Sequence, residues 1–170
     1  MVKYITNINI LNDDELLYID NFCKSINEAL LDDPLPGRNS YRRKVIILKN
    51  ETIQKILNTV KNNYGIKCRY RGSWINIVDN TANKDDKFHY DDTDFSLIIY
   101  LNDNYVGGEL EYENSSIKGD IKKIKPIKNS AILLSKNVLH RVLPVLSGKR
   151  YSMATFFNYD ESFIKEKSLI

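Results

Sequence analysis

The sequence predicts a mainly β fold: an all-β barrel or sandwich with two N-terminal helices packed on one sheet. Three observations carry this. Two segments before residue 65 place apolar residues at helical spacing. From Ile66 onward the apolar period changes to two, the period of a half-buried strand. Short apolar runs then recur at regular intervals, separated by turn residues.

Val2 to Ile10 reads as a short edge strand. Asn12 is a helix cap, and Glu15 three residues later completes a capping box. Leu16, Leu17, Ile19, Phe22, Cys23, Ile26 and Leu30 follow on one face, which predicts a helix over 13–31. Asp32 to Ser40 contains Pro34, Pro36 and Gly37 and is a loop. Tyr41 to Lys49 reads as a strand. Asn50 is the expected cap of a second helix over 51–63, with Ile53, Ile56, Leu57 and Val60 inward. Gly65 stands where a left-handed C-cap belongs. Strands are then expected at 66–70, 73–79, 87–90, 94–101, 109–112, 120–125, 131–134, 139–144 and 150–158. The turns between them are marked by Asn102-Asp103-Asn104, Gly107-Gly108, Gly119 and Ser147-Gly148.

At 170 residues the chain is expected to be one domain, 1–170, with 1–65 as a helical support region and 66–158 as the β core. A net charge of +3 gives no ground for nucleic acid or a membrane surface as partner. Cys23 and Cys68 lie far apart with no metal spacing, which suggests a reducing compartment rather than a disulfide scaffold. Met1 to Leu11 has no basic-then-apolar signal pattern, and no apolar run approaches the roughly 18 residues of a membrane span. The expectation is a soluble, cytoplasmic chain. The oligomeric state is not legible.

The chemistry is concentrated between Phe88 and Phe157. The chain holds two histidines, His89 and His140. A lone histidine is ordinarily a surface or satisfied core residue, so the context matters. Asp91 lies two residues after His89, and on a strand such residues share a face. Two imidazoles and one carboxylate form the facial set that holds non-haem Fe(II) and leaves positions open for chemistry. Arg150 follows His140 by ten residues and supplies a fixed cation. The flanking Asp85, Asp86, Asp92 and Asp94 read as solvated loop charge.

These residues resemble a known family. His89-x-Asp91, Tyr100-Leu101-Asn102-Asp103, Gly107-Gly108-Glu109-Leu110, His140 and Gly148-Lys149-Arg150-Tyr151 look like the 2-oxoglutarate- and Fe(II)-dependent oxygenases, nearest the prolyl and lysyl hydroxylase-like branch. The resemblance implies a double-stranded β-helix, or jelly-roll, with the metal at its open end. It implies that His89, Asp91 and His140 bind Fe(II) and that Arg150 pairs with the far carboxylate of 2-oxoglutarate. The planar guanidinium suits that task, since it grips a carboxylate through two charge-assisted bonds. Ser152 and Tyr100 are implied as further contacts to that carboxylate. Leu110, Val142 and Phe156 match apolar wall positions, although the same residues serve equally as plain core. The implied cosubstrates are 2-oxoglutarate and dioxygen, with ascorbate as reductant. The implied reaction hydroxylates an unactivated C–H bond, with succinate and carbon dioxide released.

The sequence also departs from the family. Many prolyl hydroxylases carry another tyrosine on the strand before His-x-Asp. Here that strand is Trp74-Ile75-Asn76-Ile77-Val78, and Asn76 or Trp74 is the available replacement. Alkylated-base repair members carry a second arginine soon after the first, and Tyr151 to Phe156 has none. Asp32 to Lys44, with Arg38, Tyr41, Arg42 and Arg43, reads as a substrate lid or as a solvated basic loop. Lys118 to Lys128 reads as an exposed basic hairpin. The resemblance points first to a prolyl residue in a peptide or protein as substrate. A free amino acid or other small molecule is the alternative. A metal-bound jelly-roll that binds without turnover is the alternative of another class.

Overall fold

The computed structural model describes residues 2–5, 10–26, 42–80, 87–113 and 119–160, with 2–5, 42 and 43 described as backbone. Helix α1 spans Asp13–Ser25. It starts where the capping box predicts: the Glu15 N–H donates to Asn12 Oδ1 at 2.9 Å and the Asn12 N–H to Glu15 Oε2 at 2.8 Å. Asp13, Asp14 and Glu15 in the first turn and Lys24 in the last complement the helix dipole. Ile19 and Cys23 are buried, whereas Leu17 is exposed and does not belong to the inward stripe. Residues 27–41, which hold the end of the expected helix and most of the expected lid, lie outside the described residues.

Helix α2 spans Asn50–Tyr64. Its cap is Lys49 rather than Asn50, and no side chain caps it. Asn50 is the first helical residue. Gly65 closes the helix at φ 65°, and its N–H reaches the Lys61 carbonyl at 2.8 Å. Lys55 of α2 binds Glu15 of α1 at 2.9 Å, so the α1 cap also ties the two helices. No described helix is long and apolar enough to cross a membrane.

The strands are β1 Val2–Ile5, β2 Arg42–Ile46, β3 Cys68–Asp79, β4 Phe95–Tyr100, β5 Tyr105–Gly107, β6 Leu110–Glu113, β7 Ile121–Ile124, β8 Ala131–Ser135, β9 His140–Val142 and β10 Val145–Tyr159. One antiparallel sheet runs β1-β8-β4-β10-β3-β2, with β5 paired to the start of β10. A second runs β7-β6-β9. This is the double-stranded β-helix, mainly β, that the sequence led us to expect.

Two expected breaks are not breaks. The segments 66–70 and 73–79 join as β3, because Arg71-Gly72 forms a bulge instead of a turn. The register slips between Phe156 and Phe157, so that two β10 residues face three on β3. Gly72 supports this with φ 156°. Likewise Ser147-Gly148 lies inside β10, where Gly148 pairs with Tyr105. A Cβ on Gly148 would stand 2.7 Å from the Asn104 carbonyl oxygen, so only glycine fits. Conversely, 87–90 is not a strand: among these residues His89 alone makes a bridge, to His140.

Alternation along the large sheet sorts its residues into two cores. Leu97 and Ile99 of β4, Leu133 of β8, Met153 and Phe157 of β10 and Ile75 of β3 face the helices and pack with Ile19, Ile56 and Val60. Ile98, Tyr100, Ile132 and Leu134 face the other way and pack with Leu110 and Val142 of the small sheet. β4 is therefore buried along its whole length, which explains its uninterrupted apolar run. The second face holds the chemistry.

Candidate metal and cosubstrate site

His89 and His140 sit directly opposite one another. The His89 N–H donates to the His140 carbonyl at 2.9 Å, and the His140 N–H returns the bond at 3.0 Å. Their side chains therefore emerge on one face, with ring centroids 4.4 Å apart. Each Nδ1 meets the carbonyl two residues upstream: His89 Nδ1 lies 2.9 Å from the Lys87 oxygen and His140 Nδ1 3.0 Å from the Val138 oxygen. A carbonyl only accepts, so each Nδ1 carries a proton and Nε2 is the nitrogen left to ligate a metal. This is the outer arrangement that fixes a ligating imidazole.

Asp91 completes the set. The ligand atoms of His89, Asp91 and His140 all lie within 4.8 Å of one another. His140 Nε2 is 3.8 Å from Asp91 Oδ2, beyond hydrogen-bonding range. The buried Ser96 hydroxyl donates to Asp91 Oδ2 at 2.5 Å and fixes the carboxylate. The donor set of two imidazoles and one carboxylate suits Fe(II). The thiols stand apart from it: burial pushes Cys23 up to about 12 and Cys68 up to about 11.

On β10, Arg150, Ser152, Ala154 and Phe156 alternate onto the face that carries Tyr100, Ile98 and Ser96 of β4. Ser152 lies opposite Tyr100, and Phe156 opposite Ser96. Arg150 is 1% exposed, with its guanidinium carbon 5.1 Å from the Tyr100 ring centroid. A cation buried this deeply is a strong anion site, since its field is little screened there. Ser152 Oγ and Tyr105 Oη are shielded from solvent, and their O–H groups have no acceptor among the described residues. Buried donors left open beside a buried guanidinium fit a carboxylate ligand such as that of 2-oxoglutarate.

Asn102 holds this arginine's backbone. Its amide nitrogen donates to the Lys149 carbonyl at 2.7 Å, and its carbonyl accepts from the Tyr151 N–H at 2.8 Å. The side chain thus continues the β4–β10 ladder past Tyr100 and brackets Arg150 on both sides. Leu110 and Val142 pair directly and pack against Tyr100, whereas Phe156 is half-buried. Trp74 and Asn76 lie opposite Ala154 and Ser152 on β3, half-buried.

Among the flanking acids, Asp94 pairs with Lys136 at 3.5 Å and accepts from the Tyr159 N–H, and Asp92 is exposed. Asp85 and Asp86 lie outside the described residues. The basic hairpin is described from Gly119 onward, with Ile121, Lys122 and Lys123 exposed on β7.

Sequence reasoning missed Ser96, Tyr105 and the task of Asn102. Ser96 was within reach, since counting back by twos from Tyr100 places it on the same face. Tyr105 was not, because β5 was read as part of a turn.

Residues 76–158 match the model of the 2OG-Fe(II) oxygenase superfamily. That segment contains His89, Asp91, His140, Arg150 and the buried donors around them, and it is similar to a family that uses Fe(II), 2-oxoglutarate and dioxygen. No curated protein matches the chain by sequence. Among solved structures, a prolyl-4-hydroxylase of Pseudomonas putida is 14% identical with a TM-score of 0.72, over 94% of this chain and 92% of that one. A Trichoplax adhaerens prolyl hydroxylase, in complex with a hypoxia inducible factor peptide fragment, is 16% identical with a TM-score of 0.66, over 95% and 84%. HygX from Streptomyces hygroscopicus, with nickel, 2-oxoglutarate and hygromycin B bound, is 11% identical with a TM-score of 0.68, over 94% and 83%. At these identities the likeness is one of fold.

Proposed function

We propose that the chain, acting as one oxygenase domain over 1–170, is a 2-oxoglutarate-dependent dioxygenase that hydroxylates a prolyl residue in a peptide or protein. The observation that carries the reaction type is the convergence of His89, Asp91 and His140, together with Arg150 buried on the face of the large sheet that packs against the small one. His89, Asp91 and His140 hold Fe(II). Arg150 pairs with the far carboxylate of 2-oxoglutarate, with Ser152 and Tyr100 as further donors. Leu110, Val142 and Phe156 wall the pocket. With the metal and cosubstrate bound, the chemistry supplied is oxidative decarboxylation of 2-oxoglutarate coupled to insertion of one oxygen atom into a C–H bond.

The chain's own residues contribute orientation and exclusion of water. The carbonyls of Lys87 and Val138 keep both Nδ1 atoms protonated, so that both Nε2 atoms point at one ion. Ser96 holds the Asp91 carboxylate. The apolar wall keeps the Arg150 charge unscreened.

The prolyl reading draws on two structural neighbours, a prolyl-4-hydroxylase and a peptide-bound prolyl hydroxylase. A second reading, a free amino acid or other small molecule, draws on the hygromycin-bound neighbour of comparable fold similarity. The test is succinate formation from 2-oxoglutarate with Fe(II) and ascorbate, in the presence of proline-rich peptides, free proline and a panel of small molecules. The prolyl reading expects stimulation by peptide and a mass gain of one oxygen on proline. Oxidation of small molecules with every peptide untouched replaces it with the second reading. Absence of succinate under all conditions overturns the enzyme reading.

A further inference from the structure

The strand before His-x-Asp brings no phenol to the Arg150 pocket, yet a phenol reaches it from another direction. Tyr105 opens β5 and pairs with Gly148, two residues before Arg150. Gly108 marks where the two side chains meet: a Cβ built there would lie 3.0 Å from Arg150 Cδ and 3.2 Å from Tyr105 Cε2. Gly108 has φ 68° and is buried, so the backbone itself closes this side of the pocket. Tyr105 Oη is shielded from solvent and faces the Arg150 guanidinium, and its O–H, like that of Ser152, has no acceptor among the described residues. Two buried O–H donors without an acceptor, near one buried guanidinium, are costly unless an acceptor enters.

The geometry points to Tyr105 as a cosubstrate-binding residue, whose phenol donates a hydrogen bond to the far carboxylate of 2-oxoglutarate alongside Arg150 and Ser152. The inference rests on the reading of the Arg150 pocket given above and adds a residue to it. Burial raises the Tyr105 phenol above its ordinary range, against the charge and the hydrogen bond of Arg150 that lower it. The phenol is therefore a proton-bearing donor at neutral pH, as a carboxylate requires.

The test is binding of 2-oxoglutarate to the Zn(II)-loaded full chain, followed by calorimetry. A hydrogen bond to a charged acceptor predicts that Tyr105→Phe weakens binding on the order of tenfold or more. The monoacid 2-oxobutanoate lacks the far carboxylate, and wild type and Tyr105→Phe are expected to bind it equally. In a protein carrying 3-fluorotyrosine at 105, the fluorine resonance is expected to shift with 2-oxoglutarate and to stay in place with 2-oxobutanoate. Arg150→Ala runs beside these. If Arg150→Ala loses 2-oxoglutarate while Tyr105→Phe keeps wild-type affinity, the Tyr105 inference is wrong and the pocket reading stands. If Tyr105→Phe weakens both acids alike, or the fluorine resonance ignores 2-oxoglutarate, the phenol does not touch the carboxylate and the inference is overturned. If Arg150→Ala also binds 2-oxoglutarate normally, the pocket reading itself fails.

Discussion

Replacing Ser96 by alanine removes one hydroxyl and leaves every proposed metal ligand in place. Ser96 is buried on β4, and its Oγ donates to Asp91 Oδ2 at 2.5 Å. Asp91 comes from the irregular segment before β4, so this bond is what ties its carboxylate to the sheet. A hydrogen bond to a charged acceptor is worth about 1.5–3 kcal/mol. The Asp91 side chain is 12% exposed, so water partly compensates and the low end of that range applies. About 1.5 kcal/mol corresponds to roughly a tenfold loss of metal affinity, the lower edge of the 10–100-fold effect typical of outer-sphere partners. The assay is titration with Co(II), read by its visible absorption, with the melting temperature of the metal-free protein as control. Wild-type Co(II) affinity in Ser96→Ala refutes the idea that this hydroxyl sets the carboxylate.

His89→Ala, Asp91→Ala and His140→Ala are each expected to abolish iron-dependent turnover with the fold retained, checked by succinate release and circular dichroism; near-normal activity in any one removes that residue from the ligand set. Arg150→Ala is expected to raise the 2-oxoglutarate requirement about 10- to 100-fold with metal affinity intact, and Arg150→Lys to fall between, because the charge stays and the fork is lost. Asn102→Ala breaks two backbone bonds around Arg150, about 1–3 kcal/mol in all; thermal melting is expected to shift down and 2-oxoglutarate affinity to fall, and a variant that changes neither shows that the bracket is dispensable. Burial pushes the Glu15 carboxyl up, and hydrogen bonds from Lys55, the Asn12 N–H and Thr52 outweigh it, so its pKa lies below the usual 4.5. A carboxyl lowered in the folded state stabilises above its unfolded pKa and loses that contribution as pH falls through the folded one. Glu15→Gln is thus expected to melt below wild type at neutral pH, with the gap closing in acid; a constant gap across the titration contradicts the linkage.

Local signals in the sequence carried well where one short stretch decides the outcome. Asn12 and Glu15 specify the start of α1 through bonds they make to each other, and Gly65 ends α2 by a conformation that glycine adopts freely. The convergence of His89, Asp91 and His140 was legible from the His-x-Asp spacing, although Asp91 arrives from an irregular segment and not from a strand. Signals that depend on a partner strand were not legible. Arg71-Gly72 and Ser147-Gly148 look like turns in one dimension, and become a bulge and a paired strand only against Phe156 and Tyr105. Lys49 rather than Asn50 opens α2, a shift of one residue that composition does not resolve. Tyr105 and Asn102 reach Arg150 through the β5–β10 and β4–β10 registers, which no spacing along the chain encodes.

The mutual backbone bonds of His89 and His140 have a kinetic meaning. The two residues proposed to grip the ion are also the two whose amides secure the 87–94 segment to β9. An opening motion that breaks this pair must expose both amide protons at once and must also pull the imidazoles apart. Metal binding therefore opposes the same motion that amide exchange requires. Hydrogen–deuterium exchange at His89 and His140 should slow together when Zn(II) is added, by a common factor set by metal concentration, while the amides of α1 and α2 keep their metal-free rates. The two amides would then act as a built-in reporter of ligation, readable without substrate, oxygen or turnover.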